Sequence, residues 1–79
     1  MSEHRVEPGM SREQILKEVL AAERDAHDLL ERAALVADDA EERRLYARLA
    51  GREEQSLREL TAEEDRLDAQ AFVQQALDV

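Results

Sequence analysis

Two glutamates interrupt otherwise apolar stripes at matching places in this chain. Glu23 falls among Leu16, Val19, Ala26 and Leu30, and Glu53 falls among Tyr46, Leu49, Ser56 and Leu60. Both lie 15 positions from Asp38 (38 − 23 = 15 and 53 − 38 = 15), where the chain is expected to turn. In an antiparallel pair of helices they meet at one level, facing each other. A buried carboxylate without a partner is costly, and two that face each other are worse. Such a pair persists when a cation lies between the carboxylates, or when one of them holds a proton. The plainer account is that each long side chain skirts the stripe and reaches water, since acids are seldom buried. The mirrored placement is what brings the cation into consideration.

The elements that position these residues are legible from spacing. Residues 1–10 read as a flexible lead, polar and broken by Pro8-Gly9. Ser11 and Gln14 then form the ends of a capping box. Apolar residues at alternating steps of three and four predict a helix over about residues 11–37. Asp38-Asp39 interrupts it, and Asp39, followed by Glu41 and Glu42, is a good N-cap for a second helix over about residues 40–66. A connection this short makes the two helices antiparallel. Asp68 is expected to cap a short third helix carrying Ala71, Phe72, Val73, Ala76 and Leu77. An unbroken second helix to residue 77 is the rival reading, because the run Glu63-Glu64-Asp65 suits a helix C-terminus poorly. The chain therefore divides into a lead (1–10), a helical hairpin (11–67) and a C-terminal helix or tail (68–79).

Composition narrows the functions. The 79 residues make one marginal domain, and without cysteine neither a disulfide nor a thiolate metal site supports it. One Tyr and one Phe give no stacking platform, and a net charge of −9 disfavours nucleic acid and anionic membranes. No apolar run approaches a membrane span, and Met1 to Met10 do not resemble a signal sequence. The chain is thus read as cytoplasmic, or enclosed within something cytoplasmic. Two helices bury one side of each other, so a second copy is expected to complete an all-α four-helix bundle.

The stretch Ala22-Glu23-Arg24-Asp25-Ala26-His27-Asp28-Leu29-Leu30, with Asp39 and Leu45-Tyr46-Ala47-Arg48-Leu49-Ala50-Gly51-Arg52-Glu53-Glu54-Gln55-Ser56, resembles the rubrerythrin and ferritin-like superfamily. The 30-residue separation of the glutamates (53 − 23 = 30) and the hairpin look most like the encapsulated ferritins, half-ferritins whose metals lie at a dimer interface. The likeness covers about residues 12–60 and extends toward Asp68. It implies a homodimer, or a ring of dimers, with a di-iron site that binds Fe(II), oxidises it with oxygen as a ferroxidase, and feeds an iron store. Mn(II) or Ca(II) are possible substitutes for iron at such oxygen ligands. The likeness also raises an encapsulin shell as a partner, enclosing the protein in a nanocompartment. The ending Gln74-Gln75-Ala76-Leu77-Asp78-Val79 lacks the familiar Gly-Ser-Leu type of tag.

The likeness fails at one place. The metal-ligand glutamates of the family fall on Glu23 and Glu53, but the histidine of its Glu-x-x-His falls on Ser56, a much weaker ligand. His27, four residues after Glu23, is the available substitute, although a lone helix histidine is more often simply half-buried. Glu54 is expected in water, Tyr46 in the core, and His4 has no assigned role. Glu63, Glu64, Asp65 and Asp68 form either a secondary acidic iron-uptake face or an ordinary solvated one. Two further readings compete with iron binding. One is a metal-free helical adaptor or assembly protein that kept the bundle and lost the site. The other is a coiled-coil-like interaction protein with no such ancestry.

Overall fold

The computed structural model describes residues 3–78 and contains two helices, α1 (Arg12–Val36) and α2 (Ala40–Leu77), with no strand among the described residues. They form one antiparallel hairpin of 60 × 23 × 14 Å, two helices wide and about one helix thick. Helix α1 starts where its capping box predicts: Ser11 Oγ accepts from the Gln14 N–H at 3.1 Å, and Gln14 Oε1 accepts from the Ser11 N–H at 2.8 Å. Helix α2 starts at the Asp39 cap, whose carboxylate accepts from the Glu42 N–H at 3.1 Å. Between them the Arg43 guanidinium donates to the Ala37 and Asp38 carbonyls, at 3.0 and 3.1 Å. The last turn of α1 contains no basic residue. Arg43 therefore supplies, from the next helix, the positive charge that the negative end of α1 favours.

The C-terminal region departs from the expected short third helix. Helix α2 runs without a break for 38 residues, so the expected boundary near residue 67 is absent. The reason lies in the acidic run itself. Arg66 grips Glu63 one turn earlier through its guanidinium, holding the Glu63 carboxyl below the usual carboxylate range and neutralising part of the run. No Gly or Pro follows Gly51 to stop the helix, and Ala, Gln and Leu propagate it. Beyond Leu67 every described residue is exposed, because α1 begins opposite that point and offers no further helical turn to cover it.

The lead also has a defined course. Pro8-Gly9 turns it back, with Gly9 at φ 91° and the Met10 N–H donating to the Glu7 carbonyl at 3.3 Å. A positive φ of this size suits glycine alone. Residues 3–7 thereby return along α1. His4 Nε2 lies 2.6 Å from an Asp25 carboxylate oxygen, and the Arg5 N–H donates to Glu18 at 3.4 Å. His4, given no role on sequence, thus pins the lead as a strap on the outer side of α1.

The hairpin buries little. Leu20, Ala50 and Leu67 are the fully buried apolar residues, while Leu29, Leu35 and Val36 stand 68%, 83% and 70% exposed. Gly51 sits mid-helix, and a Cβ added there meets nothing within 4 Å. In the isolated hairpin Gly51→Ala should therefore stabilise by about 0.5–1 kcal/mol, the usual gain over glycine in a helix. Chemical denaturation at low protein concentration measures this. A loss of stability there means that the glycine serves a contact within the single chain.

Candidate metal centre

Glu23 follows the buried Leu20 by three residues, and Glu53 follows the buried Ala50 by three. That spacing carries each carboxylate just past a core residue, on the inner side of its helix. The antiparallel hairpin then brings the two together as the mirrored numbering predicts. Both side chains are half-buried, and Glu53 Oε2 is buried with no hydrogen-bond partner. The Glu23 carboxyl lies within hydrogen-bonding range of Glu53 and is pushed above the usual carboxylate range. The hydrogen bond to Glu53 is the largest cause, followed by burial and by repulsion from the Glu53 charge. Two ionised carboxylates offer acceptors only, so the pair needs either a shared proton or a cation.

The other two sequence candidates occupy different surroundings. Ser56 is half-buried, one turn beyond Glu53 on the same helix. The ring of His27, 18% exposed, is committed along its own helix: Nε2 lies 3.0 Å from Glu31 and Nδ1 3.7 Å from Asp28. Glu54 is exposed, as expected, whereas Tyr46, expected in the core, is only half-buried. Among the described residues of one chain, no three His, Asp or Glu side chains converge in an arrangement able to hold a metal ion. One hairpin thus contributes a facing pair, with one oxygen orphaned.

Two interactions were not anticipated from sequence. The pairing of His27 with Glu31 is a four-residue helix contact that the spacing could have signalled. The strap contact of His4 with Asp25 spans 21 residues, and no local pattern announces it. No protein-family model, curated protein or solved structure matches this chain.

The proton-sharing state of the pair has a defined pH signature. Glu23 binds its proton more tightly folded than unfolded, so this contribution to stability is fully present below about pH 4.5, the unfolded value. It is lost as the pH rises through the higher folded value. Glu23→Gln keeps a neutral hydrogen-bonding partner for Glu53 at every pH. The metal-free variant should melt above the parent at pH 7, with the gap closing toward pH 4. Equal melting temperatures at both pH values mean that the two carboxylates do not interact.

Proposed function

We propose that the chain is a ferritin-like iron-binding protein whose working unit is a pair of hairpins. The carboxylates Glu23 and Glu53 of both copies would form the metal site where the hairpins meet. The observation that carries this reading is the half-buried Glu23–Glu53 pair with the orphaned Glu53 oxygen. A buried, unpartnered carboxylate oxygen is a donor suited to a hard cation, and Fe(II) and Fe(III) accept such oxygens readily. Two copies bring four carboxylates and four negative charges together, enough to neutralise two divalent ions.

The case for a second copy comes from the thin hairpin. Ile15, Leu16, Val19, Leu60 and Leu67 line an open apolar groove on its face. Covering this surface is worth about 25 cal/mol for each Å² removed from water. For a protein with so small a core, that gain matters to whether it folds at all.

In this reading Fe(II) is the substrate. The carboxylates hold and orient it, and their negative charge favours the product Fe(III) over Fe(II). Two such ions would together give two electrons to one dissolved oxygen molecule, which reaches them at a position the protein leaves open, takes up two protons from water and leaves as hydrogen peroxide. Ser56, in place of a histidine, leaves that position to water. The enzyme activity would be that of a slow ferroxidase, with weaker retention of the ion than an imidazole gives.

A second reading, a metal-free helical adaptor, draws on two observations: Ser56 stands at the histidine position, and His27 is engaged with Glu31. Metal binding separates the two. A cation that binds only the folded assembly raises its melting temperature. Fe(II) under anaerobic conditions should do so, with Mn(II) or Ca(II) weaker, and Glu23→Gln or Glu53→Gln should abolish the rise. If none of the three ions moves the melting curve, the adaptor reading replaces this one.

The serine gives a further expectation. Ser56→His should tighten iron binding and quicken oxidation, by about tenfold for each 1.4 kcal/mol gained. His27→Ala should change both little. Titration of anaerobic Fe(II) and stopped-flow oxidation read these outcomes. Faster oxidation by the parent than by Ser56→His means that the imidazole was never needed.

A further inference from the structure

The lead crosses α1 with one histidine set between two carboxylates. His4 Nε2 lies 2.6 Å from Asp25, and Nδ1 lies 3.8 Å from Glu18. The two acids are seven residues apart (25 − 18 = 7), two turns along one side of α1. At about 100° per residue they stand roughly 140–160° round the helix from the buried Leu20, so α2 lies on the other side. The ring itself is 23% exposed. A neutral imidazole has one donor and one acceptor, whereas the imidazolium has two donors. An acid facing each nitrogen therefore matches the protonated ring alone. In the neutral ring a lone pair would face one of the carboxylates.

The surrounding charges make His4 the cation of this contact. Within the lead, the Arg5 guanidinium lies 3.6 Å from Glu3 and 4.0 Å from Glu7, so its charge is balanced there. On α1, Lys17 and Arg24 each point about 100° round the helix from the acid beside them. A second tie between lead and helix is the Arg5 N–H, which donates to Glu18 at 3.4 Å. A strap held by so few contacts is marginal, and losing one of them decides whether it stays. The strap also covers part of α1. Glu18, Ala21 and Ala22 are half-buried beside it, while the same side further along is exposed at Asp28, Arg32 and Val36.

We propose that His4 is a protonation-controlled latch. As the imidazolium it bridges Glu18 and Asp25 and holds residues 3–7 along α1; as the neutral ring it lets them go. Histidine ordinarily changes charge near pH 6.5. The strap is therefore held below that range and released as the pH rises through it, because the bridging contact needs the bound proton. Release uncovers Ala21 and Ala22 and leaves two carboxylates without the positive charge between them. Ala22 lies about 60° round the helix from Val19, which lines the apolar groove. The latch thus sets what borders that groove: a strap carrying a cation in mild acid, and two bare acids above neutrality.

Backbone nitrogen-15 relaxation on the full, metal-free chain reads the latch. At pH 5.5 the order parameters of residues 4–6 should approach the roughly 0.85 of a rigid backbone, and at pH 8 they should fall below about 0.6. His4→Gln keeps a donor without the charge, and its lead should be mobile at both pH values. His4→Arg, charged throughout, should keep the lead ordered at pH 8. Asp25→Asn should free the lead at pH 5.5. Circular dichroism checks that the helices are unchanged in each variant. A parent lead equally ordered at both pH values overturns the latch, and so does one mobile at both. A pH response that survives in His4→Gln assigns the switch to another group and overturns it too. Because no metal enters these measurements, their failure leaves the Glu23–Glu53 reading untouched.

Discussion

Two helices side by side, with nothing above or below them, can remove only one strip of each surface from water. In this hairpin that strip is narrow: full burial reaches Leu20, Ala50 and Leu67 and no other described residue. The remaining features respond to this shortage. The capping box at Ser11, the Asp39 cap and the strap held by His4 each add a local contact that a thicker domain would need less. The open groove beside Leu16 and Leu60 marks the surface for which the chain alone has no cover.

Against that background the position of Glu23 and Glu53 is informative. A protein with so little buried apolar surface places two carboxylates one turn past two of its three core residues, where they weaken the packing they adjoin. An apolar pair at those positions would serve stability better. The raised affinity of Glu23 for a proton is the measure of that conflict within one chain. A bound cation relieves it in the same way as a proton, and this is why the pair, rather than the helices, anchors the functional reading.

Sequence reading succeeded where the controlling interactions are short-range. Ser11 with Gln14, and Asp39 with the start of α2, lie within one helical turn, and both caps formed as their residue types require. The meeting of Glu23 with Glu53 is long-range, yet it was legible because a tight turn converts equal distances along the chain into equal levels in space. The course of residues 63–68 was harder. Asp68 is a competent cap, and the acidic run is a poor helix end. The outcome depended on the grip of Arg66 on Glu63 and on the absence of any helix breaker. The strap escaped for a different reason: His4 reaches Asp25 only because Gly9 reverses the chain, and the direction of a reversed lead is not written in periodicity.

The clasp of Arg43 on the Ala37 and Asp38 carbonyls bears on how the hairpin assembles. The entropy of closing a loop rises with its length, and here the closing loop is a few residues held by contacts five and six positions apart. Once that reversal forms, each added pair of facing residues lies next to one already joined. The hairpin can then zip outward from the turn with no further long loop to close, the topology of fast-folding proteins. Glu23 and Glu53 meet partway through, and the open ends at Arg12 and Leu67 close last. The last turns of α2, which extend past the start of α1, take no part in that closure.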